Sequence, residues 1–501
     1  MSNLALNLVA SAARIPDRIA AITSDQTMTY AELDSASARL ATLLQREGIG
    51  VGDRVGVMLP NIAAAPIAYY GIWRMGAIAV PMNPLMQGRE VQFYLTNTEA
   101  KALIGTPGFA AAATEGAQGA GAKSWLVDDA ELARLTDDLP EYGKPVPRDA
   151  SDTAVVLHTS GTTGTPKGAE LTHGSLGNNR DVIVQRLLKL TDDDVVLACL
   201  PLFHVFGMTC AMNAAIAAGA GLSLIARFDP ATAIERIRRD GVTILEAVPT
   251  MYSALLSVAD QVSPEATASL RTCVSGGAAL PVAVLNDFEK TFDAIILEGY
   301  GLSETSPAVT FNHPDADRRP GSIGTPIEGV QVRLVDENRN EVPDGSPGEI
   351  EVKGPNVMKG YWNLPDATDA AITDGWFSTG DIAVVDDDGY YYVVDRKKDL
   401  IIRGGYNVYP REIEEVLHEH PAVAQVAVIG IPHDSLGEEV GAAVVLKAGI
   451  AAVAEEMRQF VKARVAAYKY PRRIWFVDDL PTGPTGKLLR REVTPPPIEE
   501  A

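Results

Sequence analysis

A short loop rich in glycine and hydroxyl side chains constrains this chain more than any other feature. Residues 159–168 are Thr-Ser-Gly-Thr-Thr-Gly-Thr-Pro-Lys-Gly, and they follow an apolar run, 154–157, that is typical of a buried strand. Glycines allow a tight turn, so backbone N–H groups, hydroxyls and Lys167 can converge on one anion. The sequence therefore predicts a polyphosphate site in a loop delivered by a strand.

The loop differs from the phosphate loop of GTPases and ATPases, which requires Gly-Lys followed by Ser or Thr. Here Pro166 precedes Lys167 and Gly168 follows it. A surface turn is the alternative interpretation, but such turns seldom combine five hydroxyls with a lysine. We therefore expect nucleotide binding of another kind.

The composition narrows the class of protein. A chain of 501 residues is long enough for two or more domains. Its formal charge of −22, from 43 basic and 65 acidic side chains, argues against nucleic acid as a partner. Three cysteines without CxxC spacing indicate a reducing compartment, and we expect a cytoplasmic location.

Two apolar stretches require interpretation. The first, 4–10, has no basic residue before it and predicts an amphipathic helix, not a signal peptide. The second, 195–226, is uncharged and long enough to span a bilayer, but Pro201, His204 and Asn213 interrupt it. It predicts a buried strand, turn and helix that line a pocket, and no transmembrane segment.

Elements of different type succeed one another along the chain. A β-α-β pattern, continued by later strands, is predicted at 55–59, 63–75, 77–80, 242–248 and 294–297. A small antiparallel barrel is predicted from the alternating segments 331–335, 349–352 and 390–394. A compact α+β unit is predicted from 410–418, 423–431, 441–446, 453–465 and 474–477.

Three further motifs follow the loop in order. Residues 298–305 are Glu-Gly-Tyr-Gly-Leu-Ser-Glu-Thr, 378–381 are Ser-Thr-Gly-Asp, and 481–490 are Pro-Thr-Gly-Pro-Thr-Gly-Lys-Leu-Leu-Arg. With these motifs nearly the whole chain resembles the acyl-adenylate-forming enzymes: acyl- and aryl-CoA synthetases, peptide-synthetase adenylation domains and beetle luciferases. Within that superfamily it resembles long-chain fatty acid–CoA ligases most.

The resemblance implies an α/β fold with two domains of unequal size. The large N-terminal domain, 1–396, is expected to contain α/β subdomains and a small β-barrel at about 311–395. The small α+β C-terminal domain, 397–501, is expected to be mobile.

The chemistry that the resemblance implies joins a carboxylate to the α-phosphate of ATP. This step brings two anions together, so the site must supply positive charge and alignment. Lys487, in a loop to which two glycines give reach, is the implied bridge between the two groups. Thr162 and Glu304 are the implied Mg²⁺ ligands. Thr162, His204, Glu304 and Lys487 make up the expected catalytic set.

The implied nucleotide site has an adenine end and a ribose end. Tyr300 offers a flat face to adenine, and Asp381 can accept both ribose hydroxyls. Ser303 stands where the family more often has Thr, so the hydroxyl is kept. The expected ATP and AMP contacts are Thr159, Ser160, Gly161, Thr162, Thr163, Gly164, Lys167, Gly277, Ala278, Glu298, Gly299, Tyr300, Gly301, Ser303, Asp381, Arg396 and Lys487.

The resemblance also implies that the C-terminal domain rotates between two half-reactions. Lys398 aligns with the family's hinge position. Lys487 would face the site during adenylation. The loop containing Gly404, Gly405 and Tyr406 would replace it and line a pantetheine tunnel for coenzyme A.

The acyl pocket is expected behind the segment 200–208. Its expected residues are His204, Phe206, Gly207, Met208, Met212, Tyr252, Gly276 and Gly301. His204 is expected to gate the pocket or contact the carboxylate, and a merely packed histidine is the alternative. The matching segments contain no Lys or Arg, which argues against malonate-like diacids because their second carboxylate would be buried unpaired.

The sequence therefore predicts an ATP- and Mg²⁺-dependent acyl-CoA synthetase for medium- or long-chain fatty acids or similar apolar acids. An aryl-acid CoA ligase, an acyl-AMP ligase that loads a carrier protein, and an inactive acyl-nucleotide sensor are the alternatives. A sensor would be expected to lose Lys487, Glu304, Asp381 or Arg396, and all four are present. The sequence is compatible with peripheral membrane contact and with a homodimer, and it decides neither. His158 stands where the family often has Tyr, and the sequence does not explain it.

Overall fold

The computed structural model describes residues 2–159, 166–396, 399–404, 406–433, 436–483 and 488–497, with the backbone alone for Arg396. The α-helices are Ala5–Arg14, Tyr30–Arg46, Ala64–Arg74, Gly88–Asn97, Ala110–Ala120, Asp129–Thr136, His173–Val182, Ala214–Ala218, Pro230–Asp240, Pro249–Ser257, Val282–Phe292, Pro365–Ala371, Pro410–His418 and Ala454–Lys462. Among the residues thus described, no helix combines the length and apolar character needed to cross a membrane.

Several helices begin where the sequence supplies an N-cap. Thr29 and Glu32 form a capping box at the start of Tyr30–Arg46, so two backbone N–H groups at that end are bonded. Asp229 accepts from the Thr232 N–H and precedes Pro230, which suits a first helical turn.

A seven-stranded sheet carries the two strands that flank residues 160–165. Its strands, in spatial order, are Gly360–Tyr361, Lys167–Thr172, Thr153–Thr159, Ile78–Pro81, Arg54–Met58, Ala102–Gly105 and Lys123–Leu126. Thr159 pairs with Lys167 across an antiparallel ladder, so the two flanks of the 160–165 loop are held side by side.

A nine-stranded sheet forms the second layer. Its strands, in spatial order, are Thr325–Pro326, Ala308–Phe311, Ile295–Gly301, Thr272–Ser275, Ile244–Ala247, Val195–Ala198, Gly221–Leu224, Ile19–Ile22 and Thr27–Thr29. Its six central strands are parallel, from Ile295–Gly301 to Ile19–Ile22. One hydrophobic core joins residues of both sheets, and the helix Ala64–Arg74 is buried along its whole length within it.

Two smaller antiparallel units follow. The first contains Gln331–Val335, Gly348–Lys353, Trp376–Val385, Ile372–Thr373 and Tyr391–Arg396. The second contains Tyr406–Val408, Ile401–Arg403, Gly437–Leu446, Val423–His433 and Arg473–Phe476, where the last strand joins in parallel. Helices Pro410–His418 and Ala454–Lys462 cover the second sheet with a separate core. The mixed α/β fold with a large N-terminal part and a smaller C-terminal part is as predicted.

Candidate active site

The candidate site lies where parallel strands of the nine-stranded sheet end. Ser275 and Glu298 are paired neighbours at the carboxyl ends of two such strands. In open α/β sheets this edge is where ligands bind, because the loops that follow the strands converge there. The segments 276–278 and 299–304 of the predicted nucleotide set both leave from this edge.

Glu304 connects the two large sheets. Its side chain is 9% exposed, and its Oε1 accepts hydrogen bonds from the Thr159 hydroxyl (3.1 Å) and the Tyr361 hydroxyl (3.1 Å). The Lys167 ammonium lies 5.2 Å from the centre of the Tyr361 ring. The structure therefore brings Thr159, Lys167 and Glu304 together, as a shared phosphate and metal site requires.

Sequence reasoning missed Tyr361. Burial, and then the neighbouring Glu304 charge, raise the pKa of its hydroxyl, so it is a neutral hydrogen-bond donor. The residue lies in a two-residue edge strand that pairs with the strand beginning at Lys167. A single tyrosine without a surrounding motif gives no sequence signal for this contact.

Asp381 and Tyr300 form the second half of the site. The Tyr300 hydroxyl donates to Asp381 Oδ2 at 2.7 Å, and Asp381 is 4% exposed. Asp381 also pairs in register with Arg396 on the adjacent strand, so the two predicted ribose contacts are neighbours in the sheet. The arrangement suits a ribose beside an aromatic ring.

The glycines next to Tyr300 are explained by packing within the chain. A Cβ on Gly299 would lie 2.4 Å from the Phe311 ring, and one on Gly301 would lie 2.0 Å from the Pro307 carbonyl oxygen. Any side chain at Gly301 would therefore force backbone apart. Gly277 has φ +79°, a conformation that glycine adopts without strain.

Glu298 lies under the turn that contains Gly277 and Ala278. Its Oε1 accepts from the Leu280 N–H at 3.2 Å. Burial raises the pKa of Glu298 to about 7, against the opposing effect of the Arg411 charge. Arg411 is the second residue of the helix Pro410–His418, and its backbone N–H donates to Asp395 Oδ2 at 3.1 Å. The C-terminal unit thus reaches the floor of the site.

The expected acyl pocket is apolar. Phe206, Gly207, Met208 and Met212 are buried, and 207–213 forms a π-helical segment that packs against the strand Ile244–Ala247. A Cβ on Gly276 would lie 3.0 Å from Phe206 Cε1, so this ring lies directly against the backbone of Gly276. Segments of π-helix are frequent at functional sites.

His204 and Tyr252, two of the predicted pocket residues, form hydrogen bonds with nearby backbone groups. His204 is half-buried, and its Nδ1 accepts from the Phe206 N–H at 3.3 Å. Tyr252 packs edge-to-face on Phe288 in a second hydrophobic cluster and donates to the Val274 carbonyl at 2.8 Å. Tyr252 therefore packs in a different hydrophobic cluster from Phe206, Met208 and Met212.

His158 has a structural explanation. Its ring stacks on Tyr94 at 4.0 Å, and its Nε2 is 3.0 Å from Asn97 Oδ1. Burial lowers the pKa of His158 to about 4, so the ring is neutral near pH 7. The neutral ring therefore packs against Tyr94 and Asn97 and adds no charge to the strand that precedes residues 160–165.

The C-terminal loops are described in part. Lys398, Gly405 and Lys487 lie outside the described residues, as do Ser160, Gly161, Thr162, Thr163, Gly164 and the side chain of Arg396. Gly404 has φ +57°, and the Tyr406 side chain, 60% exposed, stacks on Tyr468 at 4.7 Å.

The chain on either side of Lys487 is anchored. A bridge between Thr482 and Leu488 closes the ends of this loop. Arg490 lies 2.5 Å from Glu414 and 3.7 Å and 3.6 Å from Asp395 and Asp399. One guanidinium therefore ties the loop that carries Lys487 to the predicted domain break.

Comparison with known proteins defines the class. The AMP-binding enzyme family matches residues 8–362, and the AMP-binding enzyme C-terminal domain matches residues 412–487. The chain therefore belongs to the AMP-binding enzyme family.

Individual relatives narrow the class further. The chain is 36% identical to a long-chain-fatty-acid–CoA ligase of Bacillus subtilis (strain 168), over 97% of this chain and 93% of that protein. It is 39% identical to a feruloyl-CoA synthase of Amycolatopsis sp, over 93% of each. The crystal structure of ATP-bound MatB from Rhodopseudomonas palustris superposes with a TM-score of 0.92 at 34% identity, covering 98% and 97% of the two chains. The family and these relatives define this protein as an acid–thiol ligase of the AMP-forming class.

Proposed function

We propose that this protein converts an apolar monocarboxylic acid to its coenzyme A thioester through an acyl-AMP intermediate, with release of pyrophosphate and AMP. The observation that supports this most is the convergence of Thr159, Lys167 and Glu304 at the strand edge that carries Tyr300, whose hydroxyl donates to Asp381. The groups proposed to bind phosphate and ribose thus lie close together, near the buried ring of Phe206 that packs on Gly276.

Positive charge is the main requirement of the first step. Lys167 lies beside the phosphate loop, and Lys487 is proposed to bridge the acid and the α-phosphate. Mg²⁺, when bound, offsets phosphate charge. The residues fit such an ion because Glu304 supplies a hard carboxylate oxygen among hydroxyls, and Thr162 is its proposed companion. Asp381 and Arg396 are proposed to hold the ribose.

The second step requires a different face of the C-terminal domain. We propose that Lys398 is the hinge and that Gly404, Gly405 and Tyr406 line the path of the pantetheine thiol. The exposed Tyr406–Tyr468 stack is a surface that such a movement could present to the site. We also propose a cytoplasmic location, supported by the buried free thiols of Cys199, Cys210 and Cys273.

The body of the substrate, between its carboxylate and its remote end, is proposed to be apolar. Medium- or long-chain fatty acids are supported by the relatives that are 36% identical and by the buried side chains of Met208 and Met212. Aryl acids are the second candidate. They are supported by the relative that is 39% identical and by the aromatic ring of Phe206, which lies against the backbone of Gly276 in the predicted acyl pocket.

A pyrophosphate-release screen tests the proposal. Alkyl, aryl and dicarboxylic acids are offered with ATP and Mg²⁺, in the presence and absence of coenzyme A. We expect pyrophosphate and AMP with apolar monocarboxylic acids, acceleration by coenzyme A, and little turnover of diacids. A carrier-loading ligase would show no acceleration by coenzyme A, and an inactive sensor would release no pyrophosphate at all.

A further inference from the structure

One carboxyl group behind the acyl pocket has no role in the site described above. Glu246 lies in the apolar strand Ile244–Ala247, and its side chain is 0% exposed. Neither of its carboxyl oxygens has a hydrogen-bond partner among the residues that the structure describes. Buried polar groups in folded proteins are nearly always bonded, so an orphan carboxyl requires an explanation.

Strand register shows which way this side chain points. Glu246 pairs with Val274, while Leu245 pairs with Leu197 on the other neighbouring strand. Side chains alternate along a strand, so Glu246 and Val274 share one face and Leu245 faces the opposite way. Leu245 packs in the cluster that contains the outer helices, whereas Val274 packs in the core that joins the two sheets. Glu246 therefore points toward that shared core.

The pocket segment covers this same face. The π-helical segment Gly207–Asn213, which carries Met208 and Met212, packs on the strand of Glu246. Burial, and then the Glu246 charge, raise the pKa of the Cys210 thiol, which lies in that segment. The carboxyl group is thus next to the wall that the predicted acyl pocket uses.

Its depth places it at the inner end of the pocket. Gly276, against which Phe206 packs, is two residues beyond Val274 on the neighbouring strand. The step from Gly276 back to Val274 is about 6–7 Å long and leads away from the carboxyl edge of the sheet, where the nucleotide site is expected. This distance is about the length of an aromatic ring. The group that meets Glu246 is therefore the end of the substrate remote from its carboxylate.

The chemistry of Glu246 limits what it can recognise. Burial raises the pKa of Glu246 to about 8, so the group is mainly protonated near pH 7. A protonated carboxyl both donates and accepts one hydrogen bond, which matches a hydroxyl in both directions. A substrate whose remote end is an alkyl group would leave the Glu246 oxygens without a hydrogen-bond partner. A substrate whose remote end is a carboxylate would bury a negative charge against Glu246, which cannot neutralise it.

We propose that Glu246 forms a hydrogen bond with a hydroxyl group at the remote end of the acid, so that the preferred substrates are hydroxylated apolar acids, with hydroxyaryl acids first. This inference rests on the proposed function. The proposed hydrogen bond makes Glu246 a specificity-determining residue. Glu246 should increase kcat/KM only for acids that carry the hydroxyl group.

Matched acids and two variants test the inference. Acyl-CoA formation is measured for cinnamate against para-hydroxycinnamate, and for dodecanoate against ω-hydroxydodecanoate. The native protein should prefer the hydroxylated member of at least one pair by about tenfold or more in kcat/KM, the size of one net hydrogen bond. The pair that shows the preference identifies the hydroxyl as phenolic or aliphatic.

In the Glu246→Leu variant, the ratio of kcat/KM for the hydroxylated acid to kcat/KM for the unsubstituted acid should be about one. Turnover of the unsubstituted acid should persist, and this turnover also shows that the variant folds. The Glu246→Gln variant keeps a donor and an acceptor and should retain part of the preference. Glu235→Leu, at an exposed position on the neighbouring helix Pro230–Asp240, is the control and should keep the native ratio.

An unchanged ratio in both Glu246 variants would overturn the inference, as would a native protein without preference in either pair. AMP formation in those experiments would leave the proposed function intact. Absence of AMP with every acid would contradict the proposed function as well.

Discussion

Replacement of Glu246 by Gln should stabilise the fold, and the gain should grow with pH. A carboxyl whose pKa is raised on folding holds its proton more tightly in the folded state than in the unfolded state. The free energy of unfolding is therefore unaffected below the pKa of the group in the unfolded state. It falls as the pH rises from that value toward the pKa in the folded state. For Glu246 these limits are 4.5 and about 8. A glutamine side chain does not titrate, so the variant escapes this loss.

The size of the effect follows from the same two values. Each pKa unit corresponds to about 1.36 kcal/mol, so raising the pKa from 4.5 to about 8 costs the native fold on the order of 5 kcal/mol above pH 8. Between about pH 5.5 and pH 7.5 the stability advantage of Glu246→Gln should increase by about 2–3 kcal/mol. Cys199, Cys210 and Tyr252 interact with the Glu246 charge, and burial raises their own pKa values, so they stay neutral in this range.

Urea denaturation followed by tryptophan fluorescence measures this difference, because stability equals the midpoint multiplied by the slope. Native protein and Glu246→Gln are compared at both pH values, with exposed Glu235→Gln as the control. The control should show no pH-dependent difference from the native protein. A Glu246→Gln advantage of equal size at both pH values would refute the assignment of Glu246 as a buried, unpaired carboxyl.

Three further substitutions test the site. Tyr300→Phe removes a 2.7 Å hydrogen bond to Asp381 and should raise the KM for ATP by roughly three- to tenfold, measured by pyrophosphate release; an unchanged KM would remove this pair from the ribose site. Gly276→Val adds a side chain where even a Cβ would lie 3.0 Å from Phe206, so kcat/KM for the acid should fall at least about tenfold while the KM for ATP stays constant; equal effects on both substrates would place the residue outside the acyl pocket. Arg490→Ala releases the anchor of the Lys487 loop and should slow adenylation more than thioester formation from a preformed acyl-adenylate; equal slowing would show that the ion pairs support only the fold.

Much of the fold could be predicted because its strands are short apolar runs between turns. The helix predicted at 410–418 is Pro410–His418, and the strand predicted at 331–335 is Gln331–Val335. Pro410 fixes the helix start, and the antiparallel alternation marks the strand. The uncharged stretch 195–226 is, as expected, buried strand and helix.

The parts that could not be predicted depend on contacts between distant segments. Tyr361 meets Glu304 only because an edge strand pairs with Lys167–Thr172. Glu246 lies within a run that predicts an ordinary buried strand, and only the register shows which sheet face it occupies. The π-helical segment Gly207–Asn213 has an apolar sequence without any signal that separates it from an α-helix.

The glycines beside Tyr300 illustrate the same limit. The missing side chains of Gly299 and Gly301 make room for the Phe311 ring and the Pro307 carbonyl, and neither contact could be read from the motif or its spacing. A motif predicts that a glycine is needed, but the tertiary structure determines which neighbour requires it.

The two half-reactions of Lys487→Ala test the central claim most directly. Adenylation is measured as acid-dependent pyrophosphate–ATP exchange, and thioester formation is measured from synthetic acyl-adenylate and coenzyme A. Lys447→Ala, at an exposed position in the same C-terminal unit, is the control. We expect Lys487→Ala to abolish the exchange and to retain thioester formation, because the ammonium neutralises charge only in the first step. Equal loss of both half-reactions, or full exchange without this lysine, would contradict the account.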